Sequence, residues 1–289
     1  MAKKDYAYWV KLSSSLTLLL AATMVIAKFW AWLLTGSTTM LGSLTDSMLD
    51  IAASAMNFWV LRIALVPPDD DHRFGHGKAE SLMGLGQAAF ITGSASLLLF
   101  YGVERLINPV SHEAVNIGIG VSIYAVFCTL LIVVIQQMVV RKTQSVAIKA
   151  DSLHYKGDLL LNISVIVALV LNQFGWTYSD GVFTLLIALY LLLNAYTVGK
   201  EATDHLMDRE LSQTDIQCIS DAIMSQESVL GFHDLRTRQS GPTKFIQLHL
   251  ELDNTFTLSK AHAISELVSQ AISDAFDGPV EVLIHKDPV

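Results

Sequence analysis

The chain has 289 residues, of which 52% are hydrophobic and 16% are charged, and its mean hydropathy is +0.45. This balance is too apolar for an ordinary soluble domain and indicates a membrane protein. The formal net charge of −8 argues against nucleic acid as a partner, because phosphate backbones are bound by clustered positive charge. The cysteines, Cys128 and Cys218, fall in different predicted compartments, so no disulfide framework is expected.

Six long apolar segments follow one another along the first two thirds of the chain. About 20 helical residues cross the ~30 Å hydrocarbon layer of a lipid bilayer. The sequence predicts transmembrane helices near residues 12–34, 40–66, 81–107, 115–140, 159–174 and 178–198. With the N-terminus in the cytoplasm, the basic residues of the loops fall mainly on the cytoplasmic side and the opposite loops hold Arg105 alone. We therefore expect both termini in the cytoplasm.

The composition changes after Lys200. Residues 201–289 hold 15 of the 27 acidic residues but 6 of the 19 basic ones, and long apolar runs stop. The pattern predicts a helix at 212–225, strands at 229–239 and 245–252 joined across Ser240, Gly241 and Pro242, a helix at 259–276 and a strand at 280–285. We predict two domains, an all-α six-helix transmembrane bundle (1–200) and a cytosolic α+β domain of order αββαβ (201–289).

Two pairs of ionisable residues lie within the predicted spans. Asp46 and Asp50 are four residues apart in the second helix, and His154 and Asp158 are four apart at the start of the fifth. Residues at this spacing share one helical face. Since charged groups inside a bilayer are costly and persist where they function, we interpret the pairs as halves of one site for a divalent ion such as zinc. Alternatively, the aspartates face interfacial water and His154 lies in a loop; Asp151 is left unassigned.

The predicted loop between the second and third helices contains three consecutive aspartates at positions 69–71, followed by His72 and His76. Two histidines and one aspartate can hold a second ion. Spacing does not decide which aspartate takes part, and we favour Asp69. The alternative is a solvated charged turn, since loops collect such residues.

A third cluster can form in the tail, from the residues His233, His249, His262, His285 and Asp287. On an extended strand His285 and Asp287 point the same way, and His249 lies on the polar face of its own strand. A metal cluster between two strands and the second tail helix is therefore possible. The alternative is that these are ordinary surface histidines.

Four separated motifs make the sequence similar to a known family. They are Gly42-Ser-Leu-Thr-Asp46-Ser-Met-Leu-Asp50, His72-Arg-Phe-Gly-His76-Gly-Lys-Ala-Glu80, Asp151-Ser-Leu-His154-Tyr-Lys-Gly-Asp158 and His233-Asp-Leu-Arg-Thr-Arg-Gln-Ser-Gly. The pattern spans essentially the whole chain. It resembles the cation diffusion facilitator family, most closely its bacterial zinc and ferrous-iron efflux branch of YiiP-type proton antiporters.

The resemblance implies a homodimer in the bacterial inner membrane, with a cytosolic metallochaperone-like domain in each protomer. It implies a transport site at Asp46, Asp50, His154 and Asp158. It implies a loop site at Asp69, His72 and His76, and a binuclear cytosolic site at His233, His249, His262, His285 and Asp287. It also implies a charge interlock near the membrane surface, at the dimer contact, formed by Lys78, Asp208 and Arg238.

These features indicate export of a divalent cation in exchange for protons by alternating access, because metal binding requires deprotonated ligands. Zn²⁺ is the first candidate, both as cargo and as a structural or regulatory ion in the tail, and Fe²⁺, Cd²⁺ and Mn²⁺ are the other cargoes considered. A passive metal-selective channel, a membrane metal sensor and an intramembrane metalloenzyme are the alternatives. An enzyme is not expected, because four candidate ligands leave no open position and the HExxH zinc protease motif does not occur in the sequence.

Overall fold

A computed structural model describes residues 3–35, 38–108, 118–173, 176 and 178–289. The first part of the chain folds into six long helices: α1 (Lys3–Thr35), α2 (Thr38–Ala64), α3 (Lys78–Ile107), α4 (Gly118–Thr143), α5 (Val146–Gln173) and α6 (Ser179–Leu206). The rest forms α7 (Gln213–Met224), β1 (Gly231–Ser240), β2 (Thr243–Leu252), α8 (Leu258–Asp274) and β3 (Val280–Pro288). A helical region followed by a small α+β domain confirms the predicted fold class.

Within the described ranges, four helical segments are long and apolar enough to cross a membrane: Asp5–Leu34, Lys78–Ile107, Ile123–Thr143 and Gly181–Leu206. Large apolar side chains on these helices point outward, for example Phe100 and Leu193, which are 69% and 61% exposed, as expected of a surface that faces lipid. The two remaining long helices, α2 and α5, carry the ionisable residues of the predicted transport site. That α2 and α5 also cross the bilayer stays a prediction.

The predicted start of the fifth helix is wrong, because α5 begins at Val146 and not near residue 159. The segment between these positions is rich in polar and charged residues, which lower its hydropathy below that of a membrane span. Ala150, Asp151 and Leu153 in this segment are nevertheless buried, with at most 4% exposure. His154 therefore lies inside a helix, and the alternative that placed it in a loop is also wrong.

Small residues allow α3, α5 and α6 to approach closely. Ala95 on α3, Ala150 on α5 and Ala202 on α6 are each 0% exposed and belong to one apolar core. Membrane helices commonly associate through such small side chains, because lipid offers no hydrophobic drive toward helix contact.

A buried carboxylate connects four of the helices. Asp151 on α5 accepts hydrogen bonds from the Gln136 amide on α4 (2.6 Å) and the Gln87 amide on α3 (3.4 Å). The Gln136 amide also donates to Thr17 on α1 at 3.1 Å. Buried polar networks of this kind fix the relative placement of the elements that carry them.

The chain folds into two compact units. One contains residues 9–63 and 79–202, and the other contains Thr203–Val289, Ala64–Lys78 and the N-terminal residues up to Tyr8. The helix α6 continues past Lys200 to Leu206. The expected domain division at residue 200 stays a prediction.

The tail sheet has the strand order β1-β2-β3. β1 and β2 are antiparallel, and the pairing of Ser240 with Thr243 leaves a two-residue turn in which Gly241 has φ +56°. This backbone conformation favours glycine, so the predicted hairpin turn is confirmed. β2 and β3 are parallel and are connected through α8, since a parallel pair needs a crossover.

The core of the tail lies between one face of the sheet and the helices α7 and α8. Ile246, Leu248 and Leu250 of β2 are at most 2% exposed, as their strict alternation predicts. Ser212 caps α7, as expected, by accepting a hydrogen bond from the Asp215 N–H.

The packing of β2 can be tested with Ile246→Ala. Removing a fully buried isoleucine side chain costs about 2–5 kcal/mol, because the transfer energy is lost and a cavity remains. We expect faster amide hydrogen exchange in β2 and β3 of the intact chain. Gln247→Ala, on the exposed face of the same strand, serves as the control; equal exchange in both variants contradicts this core.

Candidate metal sites

The candidate transport site lies where α2 faces α5. The His154 Nε2 atom lies 3.1 Å from Oδ1 of Asp50 and 3.7 Å from Oδ2 of Asp158. Ligand atoms of these three residues all lie within 4.8 Å of one another, close enough to bind one ion. Their side chains are half-buried, with 13% exposure for His154 and 21% for Asp50. The structure thus brings together residues that are more than a hundred positions apart.

The fourth predicted ligand, Asp46, is exposed one turn before Asp50 on α2 and does not belong to this three-residue cluster. It lines the same cavity, which has a volume of about 550 Å³. The role of Asp46 as a ligand stays a prediction.

The cavity also contains a cation that sequence reasoning did not assign. Lys28 on α1 lines the cavity and donates hydrogen bonds to Ser47 Oγ (2.6 Å) and to the Ser43 carbonyl (3.2 Å) of α2. It therefore offsets part of the negative charge of the aspartates. The one sequence signal for this role is a lysine in the middle of an otherwise apolar first span.

A buried hydrogen bond holds α2 beside α5 next to the ligands. The Tyr155 hydroxyl and Ser54 Oγ are 2.7 Å apart, and these side chains are 1% and 2% exposed. Tyr155 immediately follows His154, so the bond orients the segment that carries the imidazole. Outer contacts of this type commonly position metal ligands.

The second candidate site lies in the loop between α2 and α3. Oδ1 of Asp69 is 3.4 Å from His72 Nδ1, and Oδ2 of Asp69 is 3.4 Å from His76 Nε2. Of the neighbouring aspartates, Asp70 forms an ion pair with Arg73 instead. The geometry thus favours Asp69 among the three.

Backbone hydrogen bonds hold the Asp69 carboxylate in place. It accepts from the backbone N–H of His72 at 2.6 Å and of Asp71 at 3.1 Å. The hydrogen bond from His72 is the main cause that lowers the pKa of Asp69, so the carboxylate stays ionised and available as a ligand. Gly75, at φ +77°, lets the loop fold back toward Asp69.

The third candidate site is a row of side chains across the tail sheet. His233 pairs with His249, and His249 pairs with His285, so three neighbouring strands each supply one imidazole. Oδ2 of Asp287 lies 2.9 Å from His249 Nδ1 and 3.1 Å from His233 Nε2, and its Oδ1 lies 3.2 Å from His285 Nε2. The hydrogen bond from His249 is the largest cause that lowers the pKa of Asp287.

The structure places two further residues relative to this row. The predicted ligand His262 is exposed on α8 and is not part of the cluster formed by His233, His249 and Asp287. Glu251, which sequence reasoning missed, lies 3.9 Å from His233. The alternation of apolar and polar residues along β2 could have identified Glu251, because it puts Glu251 on the same face of the strand as His249.

The predicted interlock residues form one cluster within a protomer. Asp208 lies 2.9 Å from the Lys78 ammonium and 3.4 Å from the Arg238 guanidinium. Phe74 and Phe245 contact the Arg238 guanidinium with their rings at 4.8 and 4.6 Å. Desolvation acts to raise the pKa of Asp208, but Lys78 and then Arg238 outweigh it and lower the pKa. A contribution of this cluster to a dimer contact stays a prediction.

Comparison with known proteins identifies the family. The profile of the cation efflux transmembrane domain matches residues 14–207, and that of the cation efflux protein cytoplasmic domain matches residues 211–289. The chain therefore belongs to the cation efflux family, as the resemblance predicted, and it is a transporter and not an enzyme. The cytoplasmic profile describes a dimerisation domain, which indicates that the chain dimerises.

Individual relatives cover nearly the whole chain. The cation-efflux pump FieF of Shewanella oneidensis is 49% identical over 285 residues, or 99% of this chain and 96% of the relative. FieF of Salmonella schwarzengrund is 46% identical over 269 residues, or 93% and 89% of the two chains. Among solved structures, the zinc form of the putative zinc transporter CzrB is similar over 28% of this chain and 92% of its own, at 28% identity and a TM-score of 0.27.

The interlock can be tested with Asp208→Asn. Asp208 has φ +57°, a conformation that asparagine tolerates, so the variant removes charge without straining the backbone. For half-exposed ion pairs we expect a loss of about 0.2–1 kcal/mol at neutral pH. Because the pKa of Asp208 is lowered in the folded state, its ion pairs stabilise the wild-type protein above the ordinary aspartate pKa. This stabilisation disappears as the pH falls through the lowered pKa.

Thermal unfolding of the intact variant between pH 7 and pH 3 measures this effect. Asp221→Asn, an exposed aspartate of α7 outside the cluster, is the matched control. A stability difference between wild type and Asp208→Asn that is the same at every pH contradicts the ion-pair assignment.

Proposed function

We propose that the chain exports a divalent metal ion, with zinc as the first candidate, across the inner membrane of a bacterium in exchange for protons. The observation that carries this proposal is the convergence of Asp50 from α2 with His154 and Asp158 from α5 at one cavity between apolar helices. Charged groups are rare within such helices and usually mark a transport path. The distribution of lysine and arginine supports cytoplasmic termini.

Metal and proton compete for the same atom of His154. With Asp50 ionised, the 3.1 Å contact requires that Nε2 carry the hydrogen, because a carboxylate only accepts hydrogen bonds. The same Nε2 also faces Asp158 and is the atom placed to bind a metal. The two carboxylates beside the ring stabilise the imidazolium, which carries a hydrogen on both nitrogens, so an arriving ion displaces the Nε2 hydrogen to water and a proton returns from water when the ion leaves.

Exchange of this kind transports ions only if the site opens to one side of the membrane at a time. In the proposed cycle the site loads its ion from the cytoplasm, changes its access to the opposite side and releases the ion as protons enter. Asp46 completes the coordination as a fourth ligand in at least one of these states. The position of Asp46 on the wall of the same cavity supports this role.

The ligand set favours zinc among the possible cargoes. One imidazole and two or three carboxylates suit a tetrahedral ion of intermediate softness, and the imidazole disfavours harder ions such as Mn²⁺. Fe²⁺ and Cd²⁺ are compatible with the same ligands. The FieF relatives are named as cation-efflux pumps, which agrees with a divalent cargo and does not specify the metal.

We further infer that the tail binds zinc as a structural or regulatory ion in a homodimer. The row formed by His233, His249, His285 and Asp287 offers more than one ligand set, which suits a binuclear site. His262 is exposed on α8, where a second copy of the chain can reach it. Metal that joins two tails can bias the membrane helices, which makes the domain a sensor.

The transport site is tested by Asp50→Asn in proteoliposomes. The amide keeps the shape of the side chain but loses the negative charge, so we expect zinc flux driven by a pH gradient to fall at least about tenfold, the equivalent of about 1.4 kcal/mol in the barrier. Glu104→Gln, which removes an exposed carboxylate of α3, is the control. Undiminished flux in Asp50→Asn removes this residue from the path, and wild-type flux that ignores the pH gradient favours a passive channel.

The tail site is tested by Asp287→Asn in the intact chain. Asp287 contacts all three imidazoles of the row, so we expect the number of tightly bound zinc ions per protomer, measured by metal analysis after dialysis, to decrease. Glu227→Gln, an exposed residue beyond α7, should leave the number unchanged. Equal zinc content in wild type and Asp287→Asn refutes a metal site in the row.

A further inference from the structure

A basic groove lies between α4 and α5. It has a volume of about 190 Å³ and is lined by Gln137, Val140, Arg141, Lys149, Ser152 and Lys156. Three of these six side chains are cationic, and none belongs to the three candidate metal sites.

Two of the three positive charges in the groove are not neutralised by the protein. The Lys149 ammonium forms an ion pair with Glu201 of α6. In the part of the chain that the structure describes, no carboxylate lies within 4.0 Å of the charged groups of Arg141 or Lys156. Arg141 is exposed and Lys156 is half-buried, so both positive charges are accessible to an anionic partner.

A buried hydroxyl in the groove also lacks a partner. Ser152 lines the groove, is 2% exposed, and its Oγ makes no hydrogen bond within the described structure. Other helical serines of this chain, such as Ser96 and Ser164, donate to a carbonyl of the preceding turn. A buried polar atom without a partner is unfavourable, so the Ser152 hydroxyl is available to a ligand.

The donors of the groove come from one face of each of the two helices. Lys149, Ser152 and Lys156 have the spacing i, i+3 and i+7, which puts them on one face of α5, and Gln137 and Arg141 share one face of α4. A guanidinium, an ammonium and a hydroxyl together match the several acceptor oxygens of a phosphate group. The volume is below the ~300–1,000 Å³ of typical small-molecule pockets, so the groove accommodates a headgroup and not a nucleotide.

The surface that continues from the groove is apolar. Val134 lies seven residues before Arg141 on α4, and Leu160 and Ile163 lie four and seven residues after Lys156 on α5, so each continues the same helical face. These side chains are 47%, 36% and 44% exposed, respectively. A lipid whose phosphate occupies the groove can therefore lay its acyl chains along exposed aliphatic side chains.

The end of α4 also has the character of a membrane–water interface. The Lys142 ammonium, next to Arg141, lies 3.5 Å from the centroid of the Trp9 ring on α1. Tryptophan and basic residues are enriched at the level of lipid headgroups. We propose that the groove between α4 and α5 binds the phosphate group of an anionic phospholipid, with Arg141, Ser152 and Lys156 as its direct contacts.

The proposal can be tested by native mass spectrometry of the intact protein in detergent, with phosphatidylglycerol and phosphatidylcholine as the two probes. We expect wild type to retain phosphatidylglycerol in preference to phosphatidylcholine, because two uncompensated positive charges disfavour a choline group. Arg141→Gln and Lys156→Gln should each weaken retention about fivefold, as expected for one basic charge near a membrane surface. Ser152→Ala should weaken it without any change in net charge.

Lys11→Gln, which removes an exposed positive charge of α1 outside the groove, is the matched control and should retain phosphatidylglycerol like wild type. Elution of each variant as a single dimeric species checks folding. Equal retention by wild type, Arg141→Gln and Ser152→Ala overturns the site. Full displacement of the lipid by about equimolar inorganic phosphate overturns the lipid as the source and assigns the groove to a free anion.

Discussion

The arrangement of the helical region depends on one electrostatic constraint, which is that carboxylates gathered in a cavity between apolar helices must be neutralised. Asp50 and Asp158 lie on either side of one imidazole nitrogen of His154, and Lys28 approaches from α1. Either protons or a metal ion can supply the remaining positive charge, but the two cannot occupy Nε2 of His154 together. In the proposed function, this competition couples metal transport to proton transport when access to the site alternates between the two sides of the membrane.

The sequence predicted which ionisable residues share a helical face more successfully than it predicted what surrounds them. A spacing of four residues puts Asp46 and Asp50 on one face of their helix, and His154 and Asp158 on one face of theirs. This follows from the helical repeat alone and needs no contact between distant parts of the chain. The contact between Asp50 and His154 joins α2 to α5. It could be predicted from the sequence only by assuming that the two pairs of residues bind the same ion. Hydropathy does not reveal the start of α5, because the polar first turns of this helix are stabilised by burial among neighbouring helices.

In the tail, local sequence patterns again predict the faces of the strands but not how the strands pair. Alternation along β2 determines its buried face, and the spacing of His285 and Asp287 puts both on one side of β3. The register that aligns His233, His249 and His285 across three strands is a long-range property, and so is the approach of Glu251 to His233. The buried Asp151 could not be assigned a role from sequence, because sequence does not reveal that amides from α3 and α4 converge on it.

The competition of proton and metal at His154 can be measured directly by titrating zinc into the intact wild-type protein and the Asp50→Asn variant in buffers of different ionisation enthalpy. The dependence of the binding heat on the buffer gives the number of protons released for each ion bound. We expect wild type to release at least one proton more than the variant, which retains the tail and loop sites. If wild type binds zinc at the transport site and the two proteins nevertheless release equal numbers of protons, the proposed coupling is contradicted.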